Sequence, residues 1–485
     1  MTKVAQHRVA RWIVQHCYGA ATFVWIVRYL TLGHIPIVQR PIWADWFDQS
    51  RYLTSAIALA GGDLSAGAHW YPLAYPLIAA PFVWVMPGDP FVLPDLLLFL
   101  IACAGFQRAV GTLGVERGAA TLIFSAAAFV QQDVAAAWVN PWTSTLSAAL
   151  IWWLLAGTIA SFDGTAPPLA RSRAFVLGAL AGALPLVRPV DALVSLTCLA
   201  AAGGAVVLHR RLTPAAMLAT LVGGLAVCVP YGLLHLAIYG PHPSAYMIAA
   251  AQTGFVPGDL GWKAHVLLVD PRPWFPGTAS ILETLPWIVP GAAGLIAFGI
   301  VEPGRARAIL ALLAIVAVPV SALVLSYVDL QPPGLWRFCN IHYFKWLFPL
   351  FGVGILLWWR LLETTRGQGA LAGAMLALLL PLGIRIDPVA VAADVPARML
   401  FFRGDRQRDW QDAYFAQATV SDGSGVQANV RDFHQVPDAD GERAVAVRRL
   451  FGADPRRSDP SEPGGGVRGQ RPYARYGQRI TFGLP

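Results

Sequence analysis

Charged side chains are scarce in this sequence. Asp, Glu, Lys and Arg make up 13% of its 485 residues, where a soluble globular chain carries about a quarter. The deficit is concentrated before residue 387, and the remainder of the chain is ordinary in charge. Clustered cysteines are also lacking. The five present (Cys17, Cys103, Cys198, Cys228, Cys339) are scattered, mostly within apolar stretches. With no CxxC or Cys/His group at zinc spacing, they read as small buried hydrophobes. The Gly run in PSEPGGGVRGQ (460–470) has no Lys-Ser/Thr after it, which excludes a P-loop. No internal repeat is visible, which weighs against repeat-built transporters. The net charge is +8, yet no basic run is interleaved with aromatics, so nucleic acid is excluded as a partner.

Apolar residues, by contrast, make up 56% of the chain. Runs such as LLLFLIACAGF, LSAALIWWLLAGTIA, MLATLVGGLAVCVPYGLLHLA and AILALLAIVAVPVSALVL mark membrane helices, which need roughly 20 apolar residues to cross a bilayer. The expected fold is an all-α polytopic membrane protein. Its candidate spans lie near 12–32, 91–110, 118–132, 142–161, 174–187, 190–208, 214–238, 286–300, 307–327, 345–360 and 370–386. The N-terminus, MTKVAQHRVARW, resembles a signal-peptide n-region. Arg28 interrupts the apolar stretch and no A-x-A site follows, so an uncleaved first helix is expected.

Lys3, Arg8 and Arg11 place the N-terminus in the cytoplasm by the positive-inside rule. The arginine pairs 108/117, 171/173, 210/211, 305/307 and 360/366 then also fall inside. That agreement requires YPLAYPLIAAPFVWVMP (71–87) not to cross. Its four prolines make a continuous helix costly, so it reads as an interfacial or re-entrant segment. A true span there, offset by a missed one elsewhere, stays open. Parity then gives about 11 spans and an extracytoplasmic C-terminus. The organisation is a transmembrane region, 1–386, with long outer loops at 33–90 and 239–285. Residues 387–485 form a small mixed extracytoplasmic tail, in which GVQANVRDF, RAVAVRRLF and RITFGL resemble short strands.

The first outer loop opens with WADWFDQSRY (43–52). Its continuation predicts a helix starting near Asp45 and ended by Gly61-Gly62. Leu53, Ile57, Ala60 and Leu64 recur at helical steps as an apolar stripe, while Asp48, Arg51, Tyr52 and Ser55 share another face. This describes an amphipathic helix on the outer membrane surface, with Trp43, Trp46 and Phe47 as headgroup anchors. A purely structural account is available too. Asp45 would cap the helix, Asp48 would favour its dipole, and Arg51 would pair with Asp48.

The order Asp48-x-x-x-Tyr52, then Gly61-Gly62-Asp63, then YPLAYP (71–76), directly after helix one, resembles the GT-C superfamily of membrane glycosyltransferases. Relatives of this layout include the protein O-mannosyltransferases and the aminoarabinose transferases that modify lipid A. LVRPVDALVSL (186–196) and RFCNIHYFKWLFPLFG (337–352) resemble that family's later Arg-Pro and Arg/Tyr-then-Pro elements. The likeness covers about the first 390 residues. The family's loop signature is often Asp-Glu-x-x-Tyr, and here Gln49 stands for the second acid.

The resemblance implies sugar transfer from a polyprenyl-phosphate donor to an acceptor hydroxyl at the extracytoplasmic face of a bacterial-type inner membrane, with inversion. The acceptor would be a cell-envelope glycan, lipid or protein. Asp48 takes the role of base or metal-binding group. A departing phosphate needs no proton, so one base suffices alongside cations. Candidates to contact the donor are Arg51, Tyr52, Tyr71, Tyr75, Arg188, Lys263, Arg272, Arg337, His342 and Lys345, with Trp274 as a further stacking ring. Each cation is equally readable as a snorkelling interfacial residue. Arg188 stands out for its depth beside Asp191, where charges line cavities or pair internally.

A divalent cation (Mg or Mn) stays open, with Asp45 and Asp48 as ligands and Asp63 in reserve. His69, His242, His265, His342 and His434 form no paired zinc motif. The rival readings are a flippase or polymerase of polyprenyl-linked saccharides, a secondary transporter and a non-catalytic scaffold. A transporter would place its polar residues at mid-membrane on broken helices, whereas here they cluster at the outer ends.

Overall fold

The computed structural model describes residues 3–33, 42–165, 169–210, 213–253, 255, 257, 260–271, 278–327, 330, 332–337 and 339–382, with tail segments at 419–421, 427–429 and 481–483. Side chains are described from Cys17 onward. The helices run α1 (Lys3–Leu32), α2 (Phe47–Ala60), α3 (Ala74–Ala79), α4 (Val92–Val110), α5 (Arg117–Phe129), α6 (Gln132–Val139), α7 (Thr143–Ala160), α8 (Arg171–Val187), α9 (Ala192–Leu208) and α10 (Pro214–Tyr239). They continue as α11 (Ala245–Thr253), α12 (Leu260–Leu268), α13 (Ile281–Thr284), α14 (Ile288–Val301), α15 (Arg305–Leu325), α16 (Pro332–Arg337), α17 (Phe348–Leu362) and α18 (Thr365–Leu382).

Every expected span has a helix at its position, but not every helix is long enough to cross. By length and composition five qualify: Val92–Leu113, Thr143–Ala160, Pro189–Leu208, Pro214–Tyr239 and Arg305–Leu325. Cys17–Leu32, Ile288–Val301 and Phe348–Leu362 are apolar but shorter. The expected straight span at 118–132 is broken. α5 and α6 meet at 101°, and would make a sixth crossing only as one bent element. The break has a local cause. Gln131 leaves the helix and accepts from Val134 N at 2.7 Å, capping α6, while its amide donates to Asp133 Oδ2 at 2.7 Å. The proline-rich stretch at 71–87 likewise contains only α3 and a short 3-10 turn, Ala80–Phe82.

The chain divides into two compact units. One holds Met1–Ile248, Trp287–Ser321 and Ile341–Leu378; the other holds Ala249–Pro286, Ala322–Asn340 and Leu379–Pro485. In the first, α7 is central and buried on nearly every side, whereas α10 buries only Ala216, Gly223 and Ile238. α10 packs on α8 through small residues. A Cβ at Gly178 would sit 1.9 Å from Thr220 O, and one at Gly223 would sit 2.0 Å from Phe175 O. α14 meets α17 in the same way, with a Cβ at Gly354 falling 1.9 Å from Gly291 O. Small residues let backbones close to dispersion distance, which matters where lipid supplies no hydrophobic drive between helices. Arg28 of α1 is half-buried and donates to Phe129 O at 2.7 Å, at the end of α5.

In the second unit, Phe255 pairs with Tyr327 in an isolated bridge. Trp336 Nε1 donates to Ala279 O at 2.7 Å. The tail contributes β1 (Thr419–Ser421), β2 (Gln427–Asn429) and β3 (Thr481–Gly483), antiparallel in the order β2-β1-β3. β2 and β3 fall within GVQANVRDF and RITFGL. RAVAVRRLF and the boundary at residue 386 lie outside the described residues.

Candidate active site

α2 begins two residues later than the pattern suggested. Its N-cap is Trp46, with no side-chain cap. Asp45 ends a preceding 3-10 turn, Ile42–Asp45, and its side chain is outside the described residues. The C-terminus closes as a Schellman turn: Asp63 N donates to Ala58 O at 2.8 Å, Gly62 N donates to Leu59 O at 3.2 Å, and Gly62 has φ +73°. Only glycine takes that φ without strain. Of the expected apolar stripe, Ile57 is exposed, Leu53 and Ala60 are half-buried, and Leu64 lies past the end of the helix; Tyr52 and Ser55 of the other face turn into the protein, joined by Gln49. Trp43 is a correction: it is fully buried and edge-on to Phe91, at 6.1 Å between centroids, and so does not serve as a headgroup anchor.

The inward face of α2 carries the polar groups. Asp48, in its first turn, is half-buried and accepts a hydrogen bond on Oδ1 from the Tyr71 hydroxyl. Tyr71 lies 4.9 Å from Tyr52 and 5.0 Å from Tyr246, centroid to centroid. Burial, followed by the carboxylate of Asp48, pushes the Tyr71 phenol well above its ordinary range. Tyr71 is therefore a permanent donor that orients the acid. The Tyr52 phenol is raised for the same two reasons in the same order, and Thr143 and Tyr343 face it. Gln49 donates to Pro141 O at 3.1 Å. It straps α2 to the loop between α6 and α7.

A second set of residues reaches the same place from distant parts of the chain. α8 ends at Arg188, whose guanidinium lies 4.9 Å from the centre of the Tyr343 ring. Asp191 turns away to Ser147 Oγ at 2.6 Å. His342 Nδ1 lies 3.0 Å from Ser144 Oγ, and its ring stacks on Trp142 at 3.8 Å and against Tyr343 at 4.1 Å. Arg188, Tyr343, His342 and Trp142 thus form one column. Burial first, then Arg188 and Lys345, hold the imidazole well below its usual range, so it is neutral at pH 7.

Other expected contacts are placed differently. Tyr75 is fully buried and donates to both oxygens of Asp95 at 2.8 and 2.9 Å. It supports Tyr52, 5.4 Å away, and is closed off from a ligand. Lys345 is also fully buried: Nζ donates to Ala137 O and Thr145 Oγ1, both at 2.7 Å, and lies 4.6 Å from the Trp138 ring centre. It clamps α6 to α7. Arg51 turns onto Phe47 of its own helix, 5.3 Å from the ring centre. Lys263 is buried in the second unit and donates to Tyr327 O. Arg337 closes α16, with its side chain outside the described residues, as are Arg272 and Trp274 altogether.

Asp95, Asn140, Trp142 and Ser144 were not singled out in the sequence. Two signals pointed to them: a carboxylate at the head of the LLLFL run, and an Asn-Pro step between two apolar helices. Among the described residues, no group of three His, Cys, Asp or Glu is placed to hold a metal ion. The acid is partnered by the Tyr71 phenol, with Arg188 stacked on Tyr343 and Arg51 on Phe47. That set can accept a proton and hold an anion.

No protein-family model matches the chain. No curated protein matches it either. Among solved structures the chain is similar to ArnT from Cupriavidus metallidurans bound to undecaprenyl phosphate, at 14% identity and a TM-score of 0.45, over 83% of this chain and 69% of that one.

Proposed function

We propose that this chain is a membrane glycosyltransferase. It moves a sugar from a polyprenyl-phosphate donor to an acceptor hydroxyl at the extracytoplasmic face, with inversion. The observation that carries this reading is Asp48 held by Tyr71 in the same compact unit as the Arg188–Tyr343–His342–Trp142 column. Tyr52 lies between them.

In this reaction Asp48 takes the proton of the acceptor hydroxyl as its oxygen bonds to the anomeric carbon. The bond from that carbon to the phosphate oxygen breaks, and its electron pair leaves with the phosphate. Arg188 offsets the charge that develops there. Its stacking on Tyr343 fixes the planar guanidinium while leaving its edge for hydrogen bonds. Tyr71 holds the carboxylate in one rotamer, which supplies orientation rather than chemistry. A divalent ion, Mg or Mn, would supply further charge neutralisation if Asp48 held it, and no step above requires it. Residues 1–386 carry the chemistry, and 387–485 form the extracytoplasmic tail.

The test is turnover in lipid nanodiscs with undecaprenyl-phosphate-linked sugars as donors and envelope lipids as acceptors, read as released undecaprenyl phosphate. Release by the native chain that falls about 10²–10⁴-fold in Asp48→Asn, at unchanged melting temperature, supports the reading. Full activity in that variant refutes it. Passage of the intact donor across the bilayer without release would make the protein a flippase.

A further inference from the structure

The step between α6 and α7 holds an unusual side chain. Asn140 is fully buried, and both its Nδ2 and its Oδ1 are without a hydrogen-bond partner. Among the described residues no other side chain leaves two polar atoms in that state. Trp142, nearly buried, leaves its Nε1 unpaired as well, although Trp25, Trp43, Trp138 and Trp152 do the same. The weight therefore rests on Asn140. Buried amides are almost always satisfied in native proteins, so an exception in a polar site marks a place where something else supplies the partners.

The position of this segment says what kind of partner. Pro141 O receives Gln49, the neighbour of Asp48, and Thr143 faces Tyr52. Trp142 carries the column that ends at Arg188, and Ser144 meets His342. Asn140 thus sits on a strap tied to α2 on one side and to the arginine's support on the other. The chemistry narrows the class further. A phosphate offers acceptors alone and would leave Oδ1 unpaired in either orientation of the amide. A hydroxyl donates and accepts, so a ring with neighbouring hydroxyls can satisfy both ends of Asn140.

We propose that Asn140, assisted by Trp142 Nε1, reads the hydroxyls of the transferred sugar. This rests on the glycosyltransferase reading and names the residue that separates one donor from another. Its physical basis is that a site built to hydrogen-bond a hydroxyl discriminates strongly against a ligand lacking it, because its own buried groups are then stranded.

The test compares binding of bare undecaprenyl phosphate with that of undecaprenyl-phosphate-linked mannose, glucose, arabinose and their deoxy analogues, using full-length protein in nanodiscs. Asn140→Leu, of similar volume, and Trp142→Phe, which keeps the ring on His342, are the variants. The native chain is expected to prefer one sugar-linked donor to the bare carrier by about tenfold or more, roughly one hydrogen bond's worth. Asn140→Leu is expected to lose that preference while binding the bare carrier as before, and Trp142→Phe to lose part of it. Variants that melt lower yet keep the full preference would mean a structural water only, and would overturn the proposal. If the native chain binds sugar-linked donors no better than the bare carrier, the proposal fails while the carrier reading survives. If it binds neither, the glycosyltransferase reading fails with it.

Discussion

His342 lies almost flat on Trp142, with ring centroids 3.8 Å apart and planes 20° from parallel. Tyr343 covers its flank at 4.1 Å, and Arg188 lies over Tyr343 at 4.9 Å. Three elements far apart in sequence are joined by this column: the α6–α7 loop, the end of α8 and the segment before α17. An imidazolium in it would be buried and would face Arg188 and Lys345, so the ring stays neutral.

That neutrality predicts an acid-sensitive fold. The folded pKa of His342 is depressed from an unfolded value of about 6.5. Its contribution to stability is complete above that value and declines as the pH drops through it, because the unfolded chain binds the proton more readily. Melting temperature in detergent should fall between about pH 6.5 and 5. In His342→Gln, which keeps a partner for Ser144, the fall should be shallower. An identical slope in both proteins would remove His342 as its source.

Arg188 is expected to resist conservative exchange. Lysine keeps the charge but cannot stack its head group as a plane on Tyr343 or present a fork to phosphate. Arg188→Lys should raise KM for the donor about tenfold, with little change in melting temperature, the size of one charge-assisted hydrogen bond. Steady-state kinetics across donor concentrations check it. Native kinetics in this variant would mean the stack alone is unimportant.

Tyr71→Phe separates orientation from base chemistry. Asp48 stays in place, but its carboxylate loses the phenol that fixes it. Turnover should drop about ten- to hundredfold, consistent with a hydrogen bond to a charged group of roughly 1.5–3 kcal/mol. KM should be unchanged. A loss as deep as that of Asp48→Asn would show that Tyr71 does more than position.

Lys345 distinguishes a clamp from a phosphate ligand. Truncation in Lys345→Ala leaves Ala137 O and Thr145 Oγ1 without their donor and should cost about 2 kcal/mol or more. Lys345→Met refills the volume and should recover part of it. Neither should change donor KM in the protein that remains folded. A KM effect at native melting temperature would place Lys345 on the substrate instead.

Much of this was legible in the chain. The positions of the long helices follow from apolar runs whose backbones must bond internally. The faces of α2 follow from residue spacing, and its end from Gly61-Gly62, because these depend on neighbours within one or two turns. Asp48 was singled out by the resemblance of the loop pattern, since spacing alone also suits an acid that only favours the helix dipole. The roles of Tyr75, Lys345 and Trp43 were not legible, because each is decided by what a different helix brings against it. Tyr75 faces a ligand or a buried acid according to where Asp95 falls, and Lys345 is a surface cation or a clamp according to where α6 ends.

Local pattern therefore determined the elements. The stacked column behind Arg188 and the two-ended strap around Asn140 were decided by tertiary structure alone. The physical reason is range. Helical periodicity and capping act over a few residues, whereas burial and hydrogen-bond partnership depend on contacts between segments some 200 positions apart, such as Lys345 with Thr145.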